Sequence, residues 1–203
     1  MFIICFDLEG VFIPEIWINI ALATGINELK LTTRDIDNFD LLMKNRLKIL
    51  KEHKISLLHI QKIVKNVELI EGAKKFLDWI RSVAQIIIVS DSFIEFLWPI
   101  IKKLGFPLIM CHDLETDENH RITNYHLRIK DMKKKTILAC KKLNYEIIAI
   151  GDSYKDIDML LEAQYGILFR PPENIAKKYP TIPIIRDFSK LQERLANHLG
   201  LNY

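Results

Sequence analysis

At 203 residues the chain has room for one well-cored domain, or one core carrying a small insert. About half of it is apolar and about a quarter charged, which is ordinary globular composition with no low-complexity segment or internal repeat. The formal charge of +3 comes without a basic stripe interleaved with aromatics, so nucleic-acid binding is not expected, while an anionic small molecule would not be repelled.

Three cysteines, Cys5, Cys111 and Cys140, lie far apart and form no Cys-x-x-Cys pair. Cys5 sits inside an apolar run and Cys111 ends another, so both read as core residues of a protein in a reducing compartment. The N-terminal apolar stretch stops at Asp7, too early for a signal peptide. No window reaches the ~18 uninterrupted apolar residues of a membrane span. The expectation is a soluble cytoplasmic protein without a membrane or nucleic-acid partner.

In chain order, the first element is the run Phe2–Phe6, the length of a strand buried on both faces, which feeds directly into Asp7-Leu8-Glu9-Gly10-Val11. Desolvating carboxylates at the end of a buried strand costs several kcal/mol each unless a cation or donors compensate. At i and i+2 the two acids share one face. Asp7 and Glu9 are therefore candidates for metal binding and acid/base chemistry.

From about Pro14 to Glu71 the pattern is helical, with starts at Thr32-Thr33-Arg34-Asp35 and Ser56-Leu57-Leu58. A helix follows over Ala73–Ile80, whose Ala73, Phe76, Leu77 and Ile80 share a face. The second strand, Gln85–Val89, ends in Ser90-Asp91-Ser92; Ser90 either holds an anion or, like Ser92, caps the next helix. The third strand is Pro107–Met110. Leu114–Leu127 then reads as a β-hairpin centred on Asp117-Glu118-Asn119. His112, His120 and His126 follow no metal-ligand spacing and read as hairpin surface. Lys130-Asp131-Met132-Lys133 opens the helix before the fourth strand, Ile147–Ile150, which ends in Gly151-Asp152-Ser153-Tyr154-Lys155-Asp156; Gly166–Phe169 is the fifth.

Strands alternating with helices argue for an α/β fold with a parallel sheet. The helical block 14–72, placed between first and second strands, becomes an insertion above the sheet's carboxyl edge, where ligands bind in open α/β sheets. It reads as a lid on a core formed by residues 1–13 and 73–203. The strand ends supply acids for a metal, a hydroxyl, free backbone N–H groups and a lysine. That inventory suits phosphate.

Asp7-x-Glu9, Ser90, Lys133 and Gly151-Asp152-x-x-x-Asp156, in this order and context, resemble the haloacid-dehalogenase-superfamily phosphohydrolases. The likeness is closer still to the branch that hydrolyses phosphoserine or transfers its phosphoryl group to homoserine. It is carried by Asp7-Leu8-Glu9-Gly10-Val11, Pro14-Glu15-Ile16-Trp17-Ile18, Thr32-Thr33-Arg34-Asp35-Ile36, Leu42-Met43-Lys44 and Gly166-Ile167-Leu168-Phe169, nearly the whole chain.

The resemblance implies a Rossmann-like sheet with a small helical cap. Asp7 would be a nucleophile forming an aspartyl phosphate and Glu9 the general acid/base. Mg²⁺ would be held by Asp7, Asp152 and the Glu9 main-chain carbonyl, with Asp156 behind it orienting bound water. Ser90, the Asp91 N–H and Lys133 would hold the phosphoryl oxygens; the neighbouring lysines Lys130, Lys134 and Lys135 are set aside by the resemblance alone. A homodimer is an assembly it allows.

Met43, Arg46, Leu47 and Leu50 lie on one helical stripe, so Arg46 either snorkels or faces the cleft and grips a carboxylate. Glu15, just past the first strand, would then bind an ammonium group, the role this position has in that branch. The pair fits phosphoserine and would also accept homoserine. One departure stands out: Lys155 occupies a position where the family has Asn, near the substrate phosphate, so it either reaches and binds that phosphate or points to solvent and leaves the site weakened. The alternatives are a phosphatase for another small phosphorylated metabolite and a non-catalytic phosphoamino-acid sensor.

Overall fold

The protein is described here by a computed structural model covering residues 1–32, 35–36 and 38–201. Its strands are β1 (Phe2–Phe6), β2 (Gln85–Phe93), β3 (Ile109–Thr116), β4 (Ile122–His126), β5 (Glu146–Gly151), β6 (Tyr165–Phe169) and β7 (Ile184–Ile185). Its α-helices are α1 (Ile16–Thr24), α2 (Phe39–Glu52), α3 (Leu57–Lys65), α4 (Ala73–Val83), α5 (Ile94–Lys103), α6 (Met132–Lys142), α7 (Ile157–Glu162), α8 (Glu173–Lys178) and α9 (Phe188–His198).

The strands form one sheet in the order β4-β3-β2-β1-β5-β6-β7, parallel throughout except for the β3–β4 hairpin. β1 is central because both of its faces are apolar. Ile4 and Phe6 enter one core with residues of α4, α5 and α9, while Cys5 enters a second with residues of α6, α7 and α8. The chain leaves β1 toward β2 and β3 on one side and places β5, β6 and β7 on the other. That reversal opens a crevice at the carboxyl ends of β1 and β5. The α/β class expected from the strand–helix alternation, and the Rossmann-like sheet implied by the resemblance, are the fold observed.

The helices α1, α2 and α3 all fall between β1 and β2. Their Ile16, Trp17, Ile20, Met43, Leu50, Leu57, Ile60 and Val64 belong to the same apolar core as Ile4 and Phe6. α3 packs along α5, with Gln61 Nε2 donating to the Glu95 carbonyl at 2.8 Å and Trp17 meeting Phe96 edge-on at 5.5 Å. α2 reaches the hairpin, where the Tyr125 hydroxyl donates to Asp40 Oδ1 at 2.6 Å.

The structure revises local expectations. β2 does not stop at Val89 but runs to Phe93, with a register shift between Val89 and Phe93. α5 is then capped by Phe93 with no side-chain hydrogen bond, so neither Ser90 nor Ser92 caps a helix. β3 starts at Ile109, later than Pro107, and continues into the hairpin, so one strand pairs with β2 and then with β4. His112 is buried, not hairpin surface, because it faces Phe93 in that extended register; His120 and His126 are exposed. Ser56 caps α3 as expected. α2 begins at Phe39, its cap Asn38 accepting the Leu41 N–H, whereas Thr32 and Asp35 bond to one another in a turn; Thr33 and Arg34 of the expected start lie outside the described residues. β7, only two residues long, gave no sequence signal.

Candidate active site

Asp7 follows β1, and its N–H donates to the Ile150 carbonyl at 2.8 Å, extending the parallel ladder by one rung. That bond aligns the ends of β1 and β5 and brings Asp7 beside Asp152. Close approach there demands glycine. A Cβ on Gly10, where φ is +80°, would fall 2.3 Å from Asp152 Cγ, and one on Gly151 would fall 2.4 Å from Asp156 Cβ. One oxygen each from Asp7, Asp152 and Asp156 lies within 4.8 Å of the others, and all three residues are buried.

Lys133, on the first turn of α6, is the buried counter-charge. Its Nζ is 2.9 Å from Asp7 Oδ1, 2.6 Å from Asp156 Oδ1 and 3.7 Å from Asp91 Oδ2. Lys135 is exposed and Lys134 half-buried, which separates Lys133 from its neighbours on geometry. The other Asp156 oxygen accepts the N–H groups of Asp152 and Ser153 and the Ser153 hydroxyl, at 3.0, 2.9 and 2.8 Å. Asp156 is thereby locked from both sides.

Burial pushes the Asp7 carboxyl well above its usual range; Asp156 and Asp152 push the same way and Lys133 opposes them. Burial lowers Lys133, but Asp156, Asp7 and Asp91 outweigh it and hold the ammonium firmly charged. Burial would raise Asp91 too, yet Lys133, Lys155 and His112 together keep it below the ordinary carboxylate range. Three crowded carboxylates of oxygen-only character, against one close lysine, are a donor set suited to a hard divalent cation. The repulsion that raises Asp7 is what such an ion would relieve.

These groups form one end of a cavity of about 120 Å³. Asp7, Glu9, Glu15, Arg46, Ser90, Asp91, Lys133, Asp152 and Lys155 all line it, while Asp156 lies beneath the wall. The opposite end is built by the inserted helices. Glu9 accepts the Ile16 N–H at 2.8 Å, which ties the acid to the start of α1. Burial, with the Glu15 carboxylate next, lifts Glu9 to about 8, against the opposing Ile16 N–H and Arg46.

Arg46 is buried on α2 with its guanidinium 4.3 Å over the Trp17 ring; Nη2 donates to the Leu31 carbonyl at 2.8 Å. Its buried Nε has no hydrogen-bond partner among the described residues. Burial lowers it to about 10 while Glu9 and Glu15 pull upward, so it stays cationic at neutral pH. Arg46 therefore faces the cleft rather than snorkelling to solvent, and a buried orphan N–H is a donor waiting for an acceptor.

Sequence reasoning gave no site role to several wall or support residues, three of which bear on the geometry. Trp17 and Phe39 line the cavity, and His112 stands behind Asp91 with Nε2 3.9 Å from Oδ1. Extending the third strand through Cys111 would have turned His112 inward, but the Pro107–Met110 run marked no such extension.

The family model of haloacid dehalogenase-like hydrolases matches residues 3–164, and the chain belongs to that family. Within it, the chain is 49% identical over 191 residues to a protein of Pseudomonas syringae pv. tomato named phosphoserine phosphatase, covering 94% of this chain and 81% of the relative. It is 48% identical over 192 residues to phosphoserine phosphatase ThrH of Pseudomonas aeruginosa, covering 95% of this chain and 94% of that one. The fold also matches a substrate-bound phosphoserine phosphatase structure with a TM-score of 0.77 at 20% identity, covering 95% of this chain and 97% of that one. A phospho-aspartyl intermediate analogue of phosphoserine phosphatase matches at 0.76 and 20%, with the same coverage; at that identity the likeness concerns fold alone. Among the described residues no helix is long and apolar enough to cross a membrane.

Proposed function

We propose that the protein is a cytoplasmic, Mg²⁺-dependent phosphoserine phosphatase that works through an aspartyl phosphate on Asp7 and also transfers the phosphoryl group to homoserine, in serine and threonine biosynthesis. The observation that carries this reading is one cavity with buried Asp7 and Lys133 at one end and Arg46, its Nε without a partner among the described residues, at the other. The names of the relatives at 48–49% identity point the same way.

In this reading residues 14–72 are the lid on a core of residues 1–13 and 73–203. The substrate carboxylate meets Arg46 and its ammonium meets Glu15. Ser90, the Asp91 N–H and Lys133 hold the phosphoryl oxygens, with Lys155 as a second ammonium at the rim. An Asp7 oxygen attacks phosphorus in line, and the bond from phosphorus to the serine oxygen breaks. Glu9, protonated at neutral pH, gives its proton to the departing oxygen. It then takes a proton from water or from the homoserine hydroxyl as that oxygen attacks phosphorus and frees Asp7. When bound, a divalent cation held by Asp7, Asp152 and the Glu9 carbonyl would supply positive charge that keeps Asp7 ionised and lets a dianion approach it. Asp156 keeps Lys133 and the Asp152 loop in position.

The test is phosphate release from a panel of phosphorylated amino acids, sugars and nucleotides with Mg²⁺, with and without homoserine. Phosphoserine should lead the panel and homoserine should divert phosphoryl groups into a new ester. Preferred release from a sugar phosphate or nucleotide would assign the site another substrate. No release from any of them, together with tight phosphoserine binding, would make the protein a sensor.

A further inference from the structure

Lys155 lies on the 3₁₀ turn Tyr154–Asp156, directly after β5, and its environment is specific. Nζ sits 3.5 Å from Asp91 Oδ2 and 4.5 Å from the centroid of the Phe39 ring. Phe39 is the first residue of α2. One ammonium therefore touches a carboxylate at the phosphate end and an aromatic face of the insertion, across the cavity that both line. The contact is reinforced from two directions. Tyr125 meets Phe39 edge-on at 6.0 Å, while its hydroxyl bonds Asp40. Behind Asp91, His112 Nδ1 accepts the Arg128 N–H at 3.3 Å, which leaves Nε2 as the protonated nitrogen facing the Asp91 carboxylate. His112 therefore stands on the Oδ1 side of Asp91, at 3.9 Å, while Lys155 meets Oδ2.

We infer that Lys155 is a positioning residue that fastens the start of α2 over the phosphate end of the cavity, by bridging Asp91 to the Phe39 ring. A neutral asparagine at this place is too short and uncharged to make the bridge. The two other inserted helices need no such tie, since α1 and α3 are joined to α5 through Trp17, Phe96 and Gln61. The fastening closes the cavity before any anion arrives. It also makes the rim of this cavity respond to changes at Asp91.

The inference rests on the reading of α2 as a cover for the substrate, and its test needs no turnover, so failure of the latch is told apart from failure of the proposed activity. Amide hydrogen exchange would be followed in ligand-free protein at residues 42–46 of α2, with α3 as the internal control. Lys155→Asn and Phe39→Leu should each speed exchange at 42–46 by roughly 2- to 30-fold, the span of cation–π strengths. The double variant should be no faster than the quicker single one, because both remove one contact. Lys155→Arg, whose planar cation stacks on aromatics, should restore slow exchange. Unchanged exchange in Lys155→Asn, multiplying effects in the double variant, failure of arginine to rescue, or equal acceleration in α3 would each overturn the latch.

Discussion

The end of the cavity around Asp7, where phosphate is proposed to sit, and the opposite end around Arg46 are held by different forces. At the phosphate end, Asp7 is fixed by a sheet hydrogen bond to Ile150, and Asp156 by two main-chain N–H groups, a hydroxyl and Lys133. Every one of those groups comes from the sheet, from α6 that leads into β5, or from the turn that follows β5. At the other end, Glu15 caps and Arg46 rides on helices inserted between β1 and β2, and Arg46 rests on a ring, a carbonyl and the Met43 sulfur. Rigid backbone geometry suits bond making, where small displacements cost rate. Side chains on an insertion suit recognition, which can change without rebuilding the sheet. Damage to the two ends should therefore separate into lost kcat and lost discrimination.

The sharpest way to break this contrast is Asp7→Asn. If Asp7 is the nucleophile, kcat should fall on the order of 10⁶-fold, as for loss of a covalent nucleophile elsewhere, with phosphoserine affinity kept. Steady-state phosphate release checks it, and residual turnover within a hundredfold of the parent would remove Asp7 from that role. Next in size is Lys133→Met. It leaves the buried carboxylates of Asp7 and Asp156 without their cation, and stability of the metal-free protein should drop by about 3–5 kcal/mol. Urea denaturation reads this; adding Mg²⁺ should recover part of the loss, and an unmoved midpoint would show that the lysine is not the compensating charge.

A smaller and more selective effect is expected at the far end. Arg46→Ala should lower kcat/KM for phosphoserine about 10- to 150-fold, the value of charged hydrogen bonds worth roughly 1.5–3 kcal/mol. Phosphoethanolamine, which lacks the carboxylate, should lose no more than a few-fold. Equal losses on both esters would mean that Arg46 supports the fold rather than the substrate.

The smallest effect is a pH limb. If Glu9 is the general acid it must be protonated for leaving-group departure, and burial beside Glu15 lifts its carboxyl to about 8, so kcat/KM should decline as pH rises through about 8. Glu15→Gln removes the neighbouring negative charge and should move that limb to lower pH. The sign for stability follows from the same shift. An acid raised on folding is protonated in the native chain while already ionised in the unfolded one, so its contribution is full below its ordinary carboxylate range and is lost as pH climbs to about 8. Thermal denaturation of the metal-free protein at pH 5 and pH 8 should show the lower midpoint at pH 8. A profile unchanged in Glu15→Gln would show that Glu15 does not set the Glu9 proton.

Much of the phosphate end was legible in the chain because buried strands have an unmistakable composition. Phe2–Phe6 and Ile147–Ile150 read as strands buried on both faces, whose ends lie along one edge of a parallel sheet; that Asp7 and Asp152 share a site was implied by the resemblance, and the side-by-side pairing of the two strands is seen only in the fold. Local pattern also located α4, the Ser56 cap and the hairpin. Tertiary context decided the rest. Ser90 and Ser92 read as possible caps, yet pairing with β3 draws them into an irregular strand, which no local preference encodes. The stripe on α2 told that Arg46 shared a face with Met43, but only packing against Trp17 showed which way the guanidinium points. Lys155 and His112 were invisible as a pair because their meeting at Asp91 joins β5, β2 and β3, elements far apart in sequence. Periodicity and burial cost act within a few residues and so are written in the chain itself. Charge pairing across a cavity exists only after the sheet has brought distant strand ends together.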